Sequence, residues 1–450
     1  MIRAALLALT LAAPAAAQAP TPYDRAIAAG YKALTLCGGL FNALDSDAQR
    51  TVKNIERNDL AGIYPEYDAL LPTLPAKVAD NRVFVTYDSA MPPRVAIKRG
   101  AAGCVIMPIG TPPDVESDIP IWARHLGGED YAPVIKARGS LATQIRRATS
   151  EEFGPRTKTT SVIVQMAGRV RAEYYSPDFG PLVPQRTWSV AKSLSGTIIG
   201  AAAQQGLVDV TKPATITEWD DERDPRSAIT VDNLLRMASG LHSATAGNRT
   251  DAVYFGGVAV GEETVAWPLE AQPGTRFRYA NNDILLAVRA LSNLLEKRSP
   301  NPPWSSTFAS ELLFSRIGMR STTAEQDWHG NYILSSQVWS TARDLARFGQ
   351  LYLQDGVWNG ERILPAGWVK YVTTPSGPQP EGEFGYGATF WLMNKSPGVP
   401  ADTFAAFGNR GQYVVIVPSR QVVIVRRGED PHGSRFDIAK FTAEVLAALK

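Results

Sequence analysis

Residues 141–450 contain predicted strands near both ends and a block of predicted helices between them. The strand patterns lie at 160–165, 169–175, 386–393, 412–417 and 421–426. The first two flank Ala167 and Gly168, a pair typical of a hairpin turn. The order of these elements fits a mixed α/β (α+β) domain in which the first and last strands share one sheet.

Apolar residues at helical spacing define the block between the strands. Predicted helices cover 141–153, 231–238, 282–297 and 341–353, another begins at Ser189, and a last one covers 436–449. The helix at 231–238 ends on Ser239 and Gly240, and glycine is common just after a helix. Residues 373–383 are rich in proline and glycine and predict a surface loop.

Residues 18–140 predict a small N-terminal α/β region that is distinct from the domain at 141–450. Its helical patterns lie at 23–41 and 46–58, and its strand patterns at 82–87, 94–98 and 103–107. No motif in this region carries obvious chemistry. We therefore expect it to have a structural role or to cap an active site.

The first seventeen residues indicate export. They combine a positive start at Arg3, an apolar stretch over 4–13 and small residues at 15–17. The apolar stretch is too short to cross a bilayer, so residues 1–17 predict a cleaved signal peptide and a secreted or periplasmic protein. An uncleaved anchor is the alternative.

The chain has two cysteines, Cys37 and Cys104. In an exported protein they most simply form one disulfide, which would join the first helix of the N-terminal region to its sheet. Two free buried thiols are the alternative. Neither cysteine lies beside a second ligand at metal spacing, so we expect no metal site.

Composition narrows the range of partners. The formal net charge is +2, and no basic run is interleaved with aromatic residues, so nucleic-acid binding is not expected. No segment after residue 17 is long and apolar enough for a membrane helix. The His-Glu-x-x-His and Gly-x-Ser-x-Gly motifs of zinc proteases and α/β-hydrolases are absent from the sequence.

Ser189 and Lys192 form a Ser-x-x-Lys pair at the start of a predicted apolar helix. Three positions are nearly one helical turn, so the two side chains share a face. Burial and the helix N-terminus both lower the pKa of a lysine, and a neutral Lys192 could then activate Ser189 as a nucleophile. A capped helix start with a surface lysine is the alternative.

Tyr279 and Asn281 form the second candidate motif, Tyr-x-Asn, directly before a predicted helix. A tyrosine near a lysine could ionise and act as a general base, because positive neighbours lower its pKa. Asn281 would hold Lys192 or the substrate. The alternative is a packed tyrosine followed by a helix-capping asparagine.

Residues 407–412 form the third candidate motif, at the head of a predicted strand. Gly411 has no side chain, so an acyl group could approach its backbone closely. The backbone amides of Ser189 and Gln412 would then form an oxyanion hole. The alternative is a glycine-containing hairpin turn.

In their order along the chain, these three motifs resemble those of the penicillin-recognising serine hydrolases. That group includes class C β-lactamases, DD-peptidases, related esterases and 6-aminohexanoate-dimer hydrolases. The segments 229–241, 340–349 and 364–368 are similar to the group as well, so the resemblance covers about 141–450. It implies a β-lactamase/transpeptidase-like domain with a central antiparallel sheet, flanking helices and an all-helical lobe.

Within the group, the Trp-Ser-x-Ala-Lys-Ser form at 188–193 and the Gly-Gln pair at 411–412 are most similar to the 6-aminohexanoate-dimer hydrolase and esterase branch. The third motif of the group usually begins with lysine or histidine, whereas this chain has Asn409. β-Lactamases and DD-peptidases use that lysine to hold a substrate carboxylate. Arg410 does not replace it, because on a strand it would point away from Asn409 and Gly411.

The sequence thus predicts a serine hydrolase that cleaves short amide or carboxyester bonds through an acyl-enzyme on Ser189, without a metal or cofactor. Lys192 and Tyr279 would share the proton transfers, and the amides of Ser189 and Gln412 would bind the oxyanion. The residues expected to orient the substrate are Asn281, Asn409 and Gly411. The alternatives are a β-lactamase or DD-peptidase, and a non-catalytic binding protein on the same fold.

Overall fold

The structure is a computed structural model that describes residues 19–44, 48–116, 126–242, 250–298 and 304–449. The predicted signal peptide, residues 1–17, lies outside the described residues, as does the start of the helix predicted over 46–58. Within the described part of the chain, no helix combines the length and the apolar composition needed to cross a membrane.

The N-terminal region consists of helices packed on a four-stranded antiparallel sheet. The helices are α1 (Pro22–Phe41), α2 (Val52–Asn58) and α3 (Pro65–Asp68), and the strands are β1 (Ala76–Ala79), β2 (Arg82–Val85), β3 (Arg94–Lys98) and β4 (Cys104–Ile106). The strands pair in chain order, and α1 packs against β2 and β3. Thr21 caps α1 by accepting a hydrogen bond from the amide of Asp24.

The remaining chain alternates helices and strands. Its helices are α4 (Gly139–Ala148), α5 (Val190–Gln204), α6 (Val231–Leu235), α7 (Val260–Glu263), α8 (Asn281–Arg298), α9 (Trp304–Ala309), α10 (Ala342–Leu353), α11 (Trp368–Thr373) and α12 (Ile438–Ala448). Its strands are β5 (Thr159–Met166), β6 (Arg169–Tyr175), β7 (Gln185–Arg186), β8 (Thr323–Ala324), β9 (Val338–Ser340), β10 (Val357–Trp358), β11 (Glu361–Arg362), β12 (Gly385–Tyr386), β13 (Trp391–Leu392), β14 (Phe404–Gly408), β15 (Gln412–Val417) and β16 (Val422–Gly428).

The central sheet has seven antiparallel strands in the order β12-β13-β14-β15-β16-β5-β6. The early strand β5 lies beside the late strand β16, with Val164 opposite Ile424. This pairing confirms the prediction that the first and last strands share one sheet. A second, three-stranded sheet with the order β7-β9-β8 leads the chain toward α5.

Both faces of the central sheet are covered by helices, and this explains its sequence pattern. On β15, Val414 and Ile416 belong to a core that includes α5, α8 and α10, whereas Val415 and Val417 belong to a core with α4 and α12. Successive side chains of a strand point to opposite faces, so a strand buried on both faces is a continuous apolar run.

Helix α5 lies at the centre of the larger core and is buried on nearly all sides. Its sequence is apolar or small around the whole helix, the pattern of a helix enclosed by other elements. Gly196 and Gly200 allow this enclosure, because a side chain at either position would collide with Thr389 or Trp368. The burial of α5 places its first turn, and therefore Lys192, away from bulk solvent.

Several predicted elements differ from the structure in their extent; the helix predicted over 46–58, for example, begins at Val52. The single strand predicted over 386–393 is the hairpin β12–β13, because Thr389 adopts a positive φ of 65° between the two strands. The helix predicted over 231–238 ends at Leu235, and Met237 has a φ of 58°. The helix predicted over 141–153 ends at Ala148.

The disulfide between Cys37 and Cys104 is present, as predicted. It joins α1 to β4 with a Cα–Cα distance of 6.0 Å. Glu325 from the other part of the chain accepts hydrogen bonds from the Asn42 side chain and from the Cys104 amide. The disulfide therefore lies where the N-terminal region contacts the rest of the protein.

The apolar core of the N-terminal region is completed by residues from later parts of the chain. It includes Trp188, Tyr254, Phe255 and Leu285, which belong to later parts of the chain. Tyr31 on α1 meets Phe255 edge to face, with ring centroids 4.6 Å apart. Residues 18–140 thus share a core with the segment that carries the Ser-x-x-Lys pair.

We expect the disulfide to contribute substantially to the free energy of unfolding. Its cysteines are separated by 67 positions, so replacing both with alanine should lower the free energy of unfolding by roughly 4 kcal/mol through loss of the chain constraint. Urea unfolding of the double variant measures this change, and the exposed Met91→Ala serves as a control. Equal unfolding curves for the wild type and the double variant would contradict the prediction.

Candidate active site

A strained turn presents Ser189 at the start of α5. Trp188, the preceding residue, has a φ of 50°, which is costly for a residue with a Cβ atom. Its ring is buried and packs on the Arg186 guanidinium, with Cζ 3.9 Å from the ring centroid. This packing keeps Trp188 in the turn, and Ser189 follows as the N-cap residue of α5.

The Lys192 side chain lies within hydrogen-bonding distance of three acceptors. Its Nζ is 3.0 Å from Ser189 Oγ, 2.6 Å from Asn281 Oδ1 and 2.9 Å from the carbonyl oxygen of Ser335. Asn281 is fixed in turn, because its Nδ2 donates to Thr250 Oγ1 at 3.0 Å. The structure thus brings Ser189, Lys192 and Asn281 together.

Burial lowers the pKa of Lys192 from 10.5 to about 7, and the positive charge of Arg186 acts in the same direction. A neutral amine has two N–H donors and one lone pair. The Asn281 and Ser335 oxygens can only accept hydrogen bonds, so they take the two donors. The lone pair then faces Ser189 Oγ, which is the arrangement a base needs.

Tyr279 lies on the other side of the same cluster. Lys192 Nζ is 5.0 Å from the centroid of its ring. Burial raises the pKa of Tyr279 above its ordinary value of 10, and a hydrogen bond to Ser189 only partly opposes this effect. The expected lowering of this pKa by positive neighbours is therefore wrong, because desolvation dominates. Tyr279 is therefore a neutral phenol at pH 7, and its hydroxyl keeps its proton.

The third motif is a hairpin turn between β14 and β15, in which Gly408 pairs with Gln412. The turn brings Gly408 to the nucleophile: a Cβ atom there would lie 3.2 Å from the Ser189 amide nitrogen and collide with the Thr187 carbonyl. Asn409, the next residue, lines the cavity beside Ser189. The close backbone approach to the site that was expected at Gly411 is thus made by Gly408.

Gly411 and Gln412 lie on the other side of this turn. A Cβ atom at Gly411 would collide with Arg426 and Asp430. The Gln412 side chain is fully buried, where it accepts a hydrogen bond from Arg427 and donates one to the Gly428 carbonyl. Neither residue is among the described residues that line the cavity. Of the predicted site residues in this motif, Asn409 is the one among the described residues that line the cavity.

The cavity in front of Ser189 has a volume of about 340 Å³. Its described lining residues are Tyr64, Trp188, Ser189, Tyr254, Tyr279, Asn281, Ser336, Trp391, Phe407, Gly408 and Asn409. None of these side chains carries a formal charge at neutral pH. Six are aromatic, so this part of the site suits a small neutral molecule.

Sequence reasoning missed several residues of this site. Ser335 supplies a backbone carbonyl to Lys192, and its Oγ is 2.5 Å from the Tyr254 hydroxyl. Neither residue belongs to a recognisable motif, and a carbonyl acceptor leaves no mark on residue type. Tyr64 comes from the N-terminal region, for which only a general capping role was expected.

Comparison with known proteins gives a consistent result. The profile of the Beta-lactamase family matches residues 180–448. The chain is 25% identical over 346 residues to the 6-aminohexanoate-dimer hydrolase of Paenarthrobacter ureafaciens, covering 66% of this chain and 79% of that protein.

Solved structures show the same fold. A Bacillus anthracis protein provisionally named a 6-aminohexanoate-dimer hydrolase aligns with a TM-score of 0.57 and 20% identity, over 72% of this chain and 88% of that one. A class C β-lactamase aligns with a TM-score of 0.52 and 14% identity, over 69% of this chain and 96% of that one. These likenesses confirm the β-lactamase/transpeptidase-like fold expected from the motifs.

The pKa of Lys192 predicts how stability depends on pH. The amine titrates near 7 when folded and near 10.5 when unfolded, so between these values the unfolded chain binds more protons and stability rises with pH. Lys192→Met removes this contribution. The stability of the wild type relative to Lys192→Met should therefore rise between pH 7 and 10, by at most about 1.4 kcal/mol per pH unit.

Urea unfolding at several pH values measures this difference. Lys395→Met, which removes an exposed lysine, controls for the loss of one positive charge. If the wild type and Lys192→Met show the same pH dependence of stability, Lys192 does not have the lowered pKa.

Proposed function

Because the chain belongs to the β-lactamase family, we propose that it is a serine hydrolase that cleaves short amide or carboxyester bonds through an acyl-enzyme on Ser189. One observation carries the proposal. The Lys192 amine is buried 3.0 Å from Ser189 Oγ, and two groups that only accept hydrogen bonds take its donors. A serine so placed can lose its proton to the lysine lone pair.

In the acylation step, the Ser189 hydroxyl proton moves to Lys192 Nζ as Oγ bonds to the substrate carbonyl carbon. The carbonyl π electrons move onto its oxygen. We propose that the backbone amides of Ser189 and Asn409 stabilise this oxyanion, because Gly408 places the turn against the Ser189 amide. This assignment replaces Gln412 by Asn409 in the oxyanion hole.

In the second half of acylation, the bond between the carbonyl carbon and the leaving group breaks. Tyr279, a neutral phenol, gives its proton to the departing nitrogen or oxygen, and the protonated Lys192 restores it. In deacylation, water gives a proton to the neutral Lys192 amine, and the water oxygen bonds to the acyl carbon. Ser189 leaves, takes back a proton, and the acid product is released.

The substrate that fits this cavity is neutral near the reacting carbonyl. β-Lactams and D-alanyl-D-alanine peptides carry a carboxylate, and no described lining residue supplies a cation to hold it. Arg410 does not do so, because its guanidinium is buried against Glu429. The matched relative from Paenarthrobacter ureafaciens is named a 6-aminohexanoate-dimer hydrolase, and a dimer of an amino acid favours an amide substrate.

A non-catalytic binding protein on this fold is less well supported. Ser189, Lys192 and Tyr279 are all present: Lys192 Nζ lies 3.0 Å from Ser189 Oγ, and Tyr279 makes a hydrogen bond with Ser189. Burying a lysine amine lowers stability, and a catalytic role would account for its presence at this position.

We also propose that the protein is exported. The disulfide between Cys37 and Cys104 is the type of bond that persists in oxidising compartments, and residues 1–17 have the pattern of a signal peptide.

A fluorophosphonate probe tests the proposed nucleophile. Wild-type protein should be labelled on Ser189, Ser189→Ala should not, and Lys192→Met should react at least about a hundredfold more slowly because the base is lost. Ser193→Ala, which removes a buried hydroxyl one residue beyond Lys192, is the matched control. Equal labelling of the wild type and Ser189→Ala would overturn the proposal.

A substrate panel tests the reaction. Short amides and esters should be hydrolysed by the wild type and not by Ser189→Ala, whereas nitrocefin should be a poor substrate. Hydrolysis of nitrocefin alone would favour the β-lactamase alternative instead.

The pH–rate profile tests Lys192 as the base. The neutral fraction of an amine with a pKa of about 7 rises tenfold per pH unit below 7 and then levels off. With a neutral ester, kcat/KM should follow this curve, with an apparent pKa near 7. A rate that falls as the pH rises from 5 to 7 would show that the protonated lysine is the active form.

A further inference from the structure

We infer that Tyr64, which the N-terminal region contributes to the cavity wall, selects substrates whose group beside the scissile bond is uncharged and apolar, preferably aromatic. The inference rests on the proposed function, since it concerns the substrate of the same cavity. Tyr64 lies outside the residues that the family profile matches, 180–448, and lines the cavity from the N-terminal region.

The wall that Tyr64 joins is built from aromatic rings. Trp391 on β13 and Phe407 on β14 stack nearly parallel, with centroids 5.8 Å apart and an interplanar angle of 15°. The ring centroids of Tyr279 and Trp391 are 5.4 Å apart. Such rings favour planar apolar groups through offset and edge-to-face contacts. With Tyr64, the N-terminal region adds a further ring to this set.

Arg410 holds the segment that carries Tyr64. Its guanidinium donates to the carbonyl oxygens of Asn58 at 2.6 Å and Ala61 at 3.0 Å, and to the Glu429 carboxylate at 2.8 Å. Arg410 directly follows Asn409, which we place in the oxyanion hole. The same turn that forms the oxyanion hole therefore fixes the chain just before Tyr64.

Further contacts position Tyr64 from both sides. The amide of His432 donates to the Gly62 carbonyl at 2.5 Å. After Tyr64, the Tyr67 ring meets it edge to face at 5.6 Å, and the Tyr67 hydroxyl donates to Asp251 at 2.9 Å. Both neighbours, Ile63 and Tyr67, are buried. The half-buried Tyr64 is thus supported by packed neighbours.

The chemistry of the wall also determines what it rejects. A carboxylate or ammonium group in this cavity would lose its hydration and find no opposite charge on the described lining residues. The polar lining side chains, Ser189, Asn281, Ser336 and Asn409, are neutral. A neutral ring loses little hydration there and gains contact with the aromatic rings.

Four simple esters test the inference without an aromatic reporter group. They are ethyl phenylacetate and benzyl acetate, which each place a ring on one side of the carbonyl, ethyl butyrate, which has none, and monoethyl succinate, which carries a carboxylate. Proton release gives kcat/KM, and fluorophosphonate titration gives the concentration of reactive Ser189 in each variant.

The wild type should prefer at least one ring-bearing ester to ethyl butyrate and should hydrolyse monoethyl succinate slowest. We define the preference as kcat/KM for that ring-bearing ester divided by kcat/KM for ethyl butyrate. Tyr64→Ala should lower this preference about five- to tenfold, because a ring contact with the substrate is lost. Tyr64→Phe should keep the ratio, since the ring remains. Tyr131→Ala, which removes an exposed tyrosine distant in sequence, is the matched control.

Two failures can be told apart. If the wild type reacts with the probe and hydrolyses esters but Tyr64→Ala keeps the wild-type ratios, the inference about Tyr64 is wrong and the proposed function stands. If the wild type neither reacts with the probe nor exceeds Ser189→Ala on any ester, both proposals are wrong.

Discussion

Lys192 is buried in the first turn of α5, where water cannot solvate an ammonium group. Two oxygen acceptors, one from Asn281 and one from the Ser335 carbonyl, compensate in part for the lost hydration. The elements around the site follow from this arrangement. The start of α8 must place Asn281, and the chain at 335–336 must place the Ser335 carbonyl, within hydrogen-bonding distance of Lys192 Nζ. Helix α5 must be enclosed on all sides.

The central sheet provides that enclosure. One of its faces supports α5 through a core shared with α8 and α10, and its other face is closed by α4 and α12. The turn between β14 and β15, two interior strands of this sheet, then brings Gly408 to the Ser189 amide. The geometry of the candidate site thus depends on sheet pairing as much as on the helix that carries the nucleophile.

The sequence predicted those parts of the site that depend on local geometry. Ser189 and Lys192 are one helical turn apart, and Asn281 begins α8 just after Tyr279, so local spacing largely determined their positions. The register of the 407–412 turn was not predictable, because residue types there fit either Asn409 or Gln412 facing Ser189. The contribution of Tyr64 was also not predictable, since it depends on Arg410 contacts across more than three hundred positions.

The pairing of β5 with β16 sets the order in which this chain can fold. Val164 and Ile424 are neighbours in the sheet although about 260 positions separate them, and the N-terminal core needs Tyr254, Phe255 and Leu285. Contacts so distant in sequence require a large loss of chain entropy and slow folding. A nascent chain that ends before residue 422 would therefore expose one edge of β5 and leave the sheet open. Neither half of the protein can complete its core alone, and the last strand closes the whole fold.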